Sequence, residues 1–181
     1  MLIVSVFGSK KSGKTTTIEY LIRQLSSRGF RVGSAKHMHH ADASIDQRGK
    51  DTERHGAAGS KVIVGVSPAE LAIIKKMNMS KFTLDTLTGL LEKEGLDILL
   101  LEGFHSQVAQ RSDVIKIVTA KNEDDAKNTL EGATQPIIAI TGRITIQEHA
   151  NEIQGIPIVN FERDGNLLID QIVARVRAGA Q

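Results

Sequence analysis

Apolar and polar positions recur along this chain with two periods, and each change of period marks an element. Leu2-Ile3-Val4-Ser5-Val6-Phe7 is a short apolar run of strand length. Ile18, Leu21, Ile22 and Leu25 then fall at i, i+3, i+4 and i+7, one face of a helix. Arg28-Gly29-Phe30 supplies the stop, with Gly29 as the residue beyond the cap. Arg31 to Lys36 reads as a weakly apolar second strand. His37 to Lys50 follows no period and reads as a long loop, a kind of segment that is usually functional or disordered. Asp51-Thr52-Glu53-Arg54-His55 predicts a helix start, with acids against the positive end of the dipole. Lys61 to Val66 and Ala69 to Lys75 read as strands around a Ser67-Pro68 turn. Ser80 is the expected cap of a helix whose Leu84, Leu87, Leu90 and Leu91 form an apolar stripe ended by Gly95.

The clearest strand is Leu96 to Phe104, whose near-continuous apolar run predicts burial on both faces, as in a parallel sheet. Val114 to Thr119 and Pro136 to Thr141 predict two more strands, separated by a short polar helix over Asn122 to Leu130. A weak helix is expected near Ile146 to Asn151. Ile156 to Val159 is either a short strand or an extended segment, because Pro157 lacks a donor. Ile169, Ile172, Val173 and Val176 stripe a terminal helix. No internal repeat or low-complexity linker interrupts this alternation. It predicts one α/β domain over residues 1–181, doubly wound around a mostly parallel sheet.

Composition sharpens the picture. The 181 residues are 40% hydrophobic but only 3% aromatic, so the core must be aliphatic. That argues against aromatic platforms for single-stranded nucleic acid. The charge is balanced, 23 basic against 21 acidic residues for a net +2, so neither nucleic acid nor a membrane is expected as a bulk partner. With no cysteine there is no disulfide framework and no thiolate metal site. The chain opens on a strand without the pattern of a signal peptide, and no apolar run has the length of a membrane span. A cytoplasmic location is therefore expected.

One stretch carries explicit chemistry. Gly8-Ser9-Lys10-Lys11-Ser12-Gly13-Lys14-Thr15 fits G-x-x-x-x-G-K-[ST], and it lies between a strand and a helix as a phosphate-binding P-loop must. Gly8 and Gly13 allow the tight turn that points successive N–H groups inward. The helix that begins there turns its positive end toward the same anion. Gly8 through Thr15, with Thr16 in the first turn, are the expected nucleotide-binding residues. Lys14 reaches the β- and γ-phosphates and the Thr15 hydroxyl ligates Mg²⁺. This makes the fold a P-loop NTPase fold.

Glu102-Gly103 ends the clearest strand at the same rim, because ligands of open α/β sheets bind beyond the carboxyl ends of the strands. Glu102 is thus a second catalytic candidate and a metal ligand, directly or through water. Asp46 and Asp51 are further metal candidates, either of which could complete the shell from the loop after the second strand. His37, His39 and His40, with Asp42 and Asp46, suit either a transition-metal site or a substrate-contacting loop. Thr141-Gly142-Arg143 is either a base-recognition turn or a surface turn with an exposed arginine. The Asn-Lys-x-Asp guanine signature is absent, so these residues do not decide between GTP and ATP.

Taken together, these segments resemble a known family. Besides the P-loop, they are Arg28-Gly29-Phe30-Arg31-Val32-Gly33, Lys36-His37-Met38-His39-His40, Asp46 to Thr52, Arg54-His55, Ala57-Ala58-Gly59 and Leu101-Glu102-Gly103-Phe104. The chain resembles the molybdopterin-guanine dinucleotide biosynthesis protein B (MobB) family through its first 104 residues. The resemblance implies a homodimeric GTP-binding protein with weak Mg²⁺-dependent GTPase activity. Such a protein assists a nucleotidyltransferase that attaches a guanine nucleotide to molybdopterin in molybdenum cofactor biosynthesis. A similarity to dethiobiotin synthetase places Thr15, Asp51 or Asp46, and Glu102 around the metal. Two other readings remain: an ATP-dependent small-molecule kinase or ligase holding its substrate with the histidine loop, and a nucleotide-switched adaptor without productive turnover.

Overall fold

The computed structural model describes residues 1–38, 44–46, 49–147 and 151–179. In chain order the elements are β1 (Leu2–Gly8), α1 (Lys14–Ser27), β2 (Val32–Lys36), α2 (Asp51–Ala57), β3 (Val62–Val66), β4 (Leu71–Lys75), α3 (Leu84–Leu91) and β5 (Ile98–Glu102). They continue with α4 (His105–Val108), β6 (Ile115–Thr119), α5 (Glu123–Leu130), β7 (Ile137–Thr141), α6 (Ile144–Gln147), β8 (Glu152–Ile153), β9 (Ile156–Pro157) and α7 (Phe161–Gly179). The chain divides into two compact units, one of Met1–His37 with Leu84–Gln181 and one of Met38–Thr83.

The larger unit is built on a parallel sheet in the order β2-β5-β1-β6-β7. Every residue of β5, β6 and β7 is buried, which explains their near-continuous apolar sequences: helices cover both faces. The two-residue period sorts the side chains. Val4, Val6, Ile98, Leu100, Ile115 and Ile117 face a core shared with Ile18, Leu21 and Leu25 of α1 and with Leu168, Ile169 and Ile172 of α7. On the other face Phe7, Leu99, Leu101 and Val118 meet Leu84 of α3, Val108 of α4 and Ala126 and Leu130 of α5. This is the doubly wound, mostly parallel α/β arrangement that the alternation predicts. Lys116 is the exception inside β6. Its side chain is fully buried, and its ammonium runs to the strand's beginning to donate to the Arg111 and Val114 carbonyls. Burial lowers its pKa.

The smaller unit holds α2 and an antiparallel β3–β4 hairpin. Ile63 is buried and reaches toward Gly56 of α2, and Gly65 lies beside Thr52. The opposite face carries Val62, Val64, Val66, Leu71 and Ile73, all exposed. Both strands are where the apolar pattern puts them, but they form a sheet of their own. Two local expectations are corrected. Ser80 does not cap α3: it lies in a short 3-10 turn, donating its backbone N–H to Asn78 Oδ1, and α3 starts only at Leu84. The weak helix begins at Ile144 rather than Ile146, because Gly142 and Arg143 accept the N–H groups of Thr145 and Ile146, and residues 148–150 of the expected span lie outside the described residues. A helical turn at His105–Val108 was not anticipated. No helix among the described residues is long and apolar enough to cross a membrane.

Leu100 is fully buried in β5, the strand flanked by β1 and β2. Leu100→Ala should destabilise the protein by about 2–5 kcal/mol, as large-to-small core substitutions do. Chemical denaturation monitored by circular dichroism checks this. A cost no larger than that of a surface substitution, about 0.5 kcal/mol, would contradict the packing described.

Candidate functional site

Strand register assembles the site. Val6 of β1 and Lys36 of β2 are both paired with Glu102 of β5, so β2 and β5 end together beside β1, which runs on to Gly8 and the loop. Glu102 shares the parity of Ile98 and Leu100, which face α1. The first turn of α1 carries Lys14 and Thr15, two residues that local folding brings to that same corner. Thr15 Oγ1 donates to Glu102 Oε1 at 3.0 Å, and Lys36 Nζ lies 3.0 Å from the same oxygen. Glu102 is only 8% exposed. A carboxylate so removed from water needs charged or hydrogen-bonding partners, and it has both.

The P-loop is braced from below and from both sides. Ser12 is buried. Its hydroxyl donates to the Ser9 carbonyl at 2.8 Å and shares a 2.7 Å hydrogen bond with Thr119 Oγ1 at the end of β6. Ser9 Oγ donates to Asp125 Oδ2 at 2.7 Å, and that oxygen also accepts the Lys121 N–H at 2.8 Å. The Arg143 N–H donates to the Ser12 carbonyl at 3.1 Å, tying the turn after β7 to the loop. Two glycines permit these approaches. A Cβ on Gly8 would collide with the Thr119 carbonyl, and one on Gly142, at φ 95°, would collide with the Ser12 carbonyl.

Lys14 Nζ donates to the Gly8 and Ser9 carbonyls at 3.0 and 2.7 Å, so its ammonium lies across the loop. Burial lowers its pKa, Glu102 opposes the shift, and the neighbouring Lys36 charge adds to it. Over the loop opens a cavity of about 460 Å³, lined by Lys10, Lys11, Lys14, Thr15, Thr16, Glu102 and Arg143 among others. Its size falls in the range of small-molecule sites, roughly 300–1,000 Å³. Four of the eight lining residues are cationic against one acid, and N–H groups at the start of α1 join them, so the cavity suits a polyanion. The Thr15 hydroxyl and Glu102 carboxylate supply two adjacent oxygen donors, the ligand chemistry of Mg²⁺. These two residues fit that ion.

Of the residues expected from the sequence, Gly8 through Thr16 and Glu102 thus come together. His37 stands beside them: its backbone N–H donates to the Glu102 carbonyl at 2.9 Å and its ring meets Phe104, centroids 5.3 Å apart. His39, His40 and Asp42 lie outside the described residues. Asp46 and Asp51 belong to the smaller unit. There Thr52 Oγ1 donates to Asp46 Oδ1 at 2.8 Å, and Asp51 pairs with Arg54 at 3.4 Å. Among the described residues no group of three or more His, Cys, Asp and Glu is placed to hold a metal ion. Sequence reasoning did not single out Lys36, Thr119 or Asp125 as parts of the site. Lys36 gave no signal of its own, since its alignment with Glu102 exists only across the strands. The signal for Thr119 was a polar residue closing an apolar strand. Asp125, among three successive acids at a helix start, carried none.

Comparison with known proteins follows the same lines. A profile of the family described as "Molybdopterin guanine dinucleotide synthesis protein B" matches residues 3–153. The chain is 32% identical over 176 residues to a "Probable molybdopterin-guanine dinucleotide biosynthesis adapter protein" of Bacillus subtilis, covering 97% of this chain and 93% of that one. It is 33% identical over 105 residues to the "Molybdopterin-guanine dinucleotide biosynthesis adapter protein" of Haemophilus influenzae, 58% of either chain. The crystal structure of Bacillus subtilis MobB superposes with a TM-score of 0.73 at 30% identity, over 96% of this chain and 97% of that one.

The tie between Gly142 and the loop can be broken directly. Gly142→Ala should push the β7 turn off Ser12, lower the thermal midpoint and loosen the loop. Thermal unfolding and amide exchange at Ser12 and Gly13 read the two effects. An unchanged midpoint with unchanged exchange would show that the contact constrains nothing.

Proposed function

The chain belongs to the MobB family, molybdopterin guanine dinucleotide synthesis protein B, and on that premise we propose that it is a GTP-binding adapter with slow GTPase activity. It acts beside the nucleotidyltransferase that joins a guanine nucleotide to molybdopterin, in the cytoplasm. The observation that carries the nucleotide part is the convergence of Lys14, Thr15 and Glu102 at one corner of a cationic cavity. The guanine choice is supported by the family's product, which contains that base.

In this reading the N–H groups from Gly8 to Thr15 cradle the phosphates. Lys14 exchanges the Gly8 and Ser9 carbonyls for β- and γ-phosphate oxygens, a swap of neutral acceptors for charged ones. Thr15 and Glu102 would hold a Mg²⁺ ion, which would supply positive charge against the phosphates. Water attacks the γ-phosphorus in line, the bond to the β,γ-bridging oxygen breaks, and GDP and phosphate are the products. Lys14 and the loop amides stabilise the charge that develops.

The homodimer implied by the family resemblance has a suitable surface in the smaller unit. The outer face of the β3–β4 hairpin pairs Val64 with Ile73 and Val66 with Leu71, all more than half exposed. A second copy of the chain covers this face in our reading, because symmetric pairing buries the same aliphatic patch twice. Val64→Asp should shift the sedimenting species from dimer to monomer. A wild-type monomer, or a variant that stays dimeric, would refute the assignment.

Lys14→Ala tests the nucleotide site. It should weaken Mg²⁺–GTP binding by at least about tenfold, in line with the loss of charge-assisted hydrogen bonds worth about 1.5–3 kcal/mol. Calorimetric titration with GTP and ATP measures this and the base preference together. Undiminished affinity in the variant would remove the P-loop from the function.

A further inference from the structure

Lys36 is a second lysine at the corner where the terminal phosphate would enter, and neither the P-loop motif nor the family description assigns it a task. We propose that Lys36 binds the terminal phosphate of the nucleotide and so makes the site selective for a triphosphate over a diphosphate. This rests on the nucleotide-binding reading above and extends it to a residue outside the loop.

Lys36 ends β2 in register with Glu102, and parallel neighbours in register project to the same face. That is the face of α1, where Thr15 already meets Glu102. Lys36 Nζ lies 3.0 Å from Glu102 Oε1, the oxygen that Thr15 Oγ1 also reaches. One carboxylate oxygen therefore gathers a hydroxyl from the P-loop helix and an ammonium from a different strand.

Donor counting gives the next step. An ammonium has three N–H donors and no acceptor. Glu102 is its ion-pair partner, and no other partner of Lys36 Nζ is found among the described residues. Its side chain is 57% exposed, whereas Glu102 is buried. The carboxylate thus acts as a positioning group: it tethers an exposed ammonium to the oxygen that Thr15, a residue lining the cavity, also reaches.

Charge completes the case. Lys36 sits close enough to Lys14 for its charge to oppose protonation of that half-buried lysine. The Glu102 carboxylate offsets part of this repulsion at Lys14, and a further anion would offset more. A terminal phosphate is such an anion, because its three non-bridging oxygens can meet both. In the nucleotide-binding reading a β-phosphate is served by Lys14 and the loop amides, none of which belongs to β2. Lys36 is then the cation that a diphosphate leaves unused. It supplies from within the chain a positive group for the γ-phosphate that no arginine in the P-loop provides.

The test is equilibrium binding of GTP and GDP, each with and without Mg²⁺, to the full chain and to Lys36→Ala, Lys36→Met and Lys36→Arg. ATP and ADP serve as a parallel pair. Lys36→Ala and Lys36→Met should weaken triphosphate binding about tenfold while diphosphate binding changes by less than about twofold. Lys36→Arg, which keeps the charge, should restore most of the difference. Thermal midpoints of the variants without nucleotide report whether the lost Glu102 contact matters for folding. Equal losses for tri- and diphosphate would make Lys36 a general electrostatic or structural residue and overturn the proposal. So would unchanged binding of both. A wild-type chain that binds none of the four nucleotides would instead overturn the nucleotide-binding reading, and this inference with it.

Discussion

Glu102 closes a strand that is buried along its whole length, and its carboxylate has little water of its own. Such a group must be met by donors or lose its charge. The donors come from two different elements, the first turn of α1 and the end of β2. The corner therefore exists only when β1, β2 and β5 are in register and α1 lies on their shared face. Much else in the larger unit keeps that corner in place. The two aliphatic cores hold the sheet between helix layers, and the fully buried Leu99, Leu100 and Leu101 leave β5 no freedom to slide.

The P-loop is held by polar contacts of another kind. Ser12 and Thr119 meet in the interior, Asp125 reaches across to Ser9, and the turn after β7 rests on the Ser12 carbonyl. Each of these ties a strand end or helix start to the loop, so the loop's shape is imposed by the sheet rather than by its own sequence. A loop held in this way needs little reorganisation to present its N–H groups to an anion, which is the basis of electrostatic preorganisation. The same brace explains why glycine is needed at position 142, far along the chain from the motif.

Local patterns revealed the elements well and their partners less well. The P-loop, α1 and β5 were legible because a motif and two periods coincide there. Glu102 followed from the rule that sites lie at the carboxyl ends of strands. The β3–β4 hairpin was legible as two strands but not as a separate sheet, since Val62 to Val66 would read the same way beside β2. Ser80 looked like a helix cap because it precedes an apolar stripe, yet Asn78 takes its N–H and the helix waits until Leu84. Lys36 was invisible as a functional group. A lone lysine closing a weak strand has the pattern of a solvated end, and only the cross-strand register with Glu102 changes its meaning. Asp125 could not be told from Glu123 and Asp124 without knowing which of them faces Ser9.

The central claim is that the corner formed by Lys14, Thr15 and Glu102 is where a nucleoside triphosphate binds. A crystal structure of the chain with Mg²⁺ and a non-hydrolysable GTP analogue tests it most directly. The account predicts β- and γ-phosphate oxygens on Lys14 Nζ and the loop N–H groups, with Thr15 and Glu102 on the metal. A nucleotide bound elsewhere, or Lys14 still closed on the Gly8 and Ser9 carbonyls beside bound nucleotide, would contradict it.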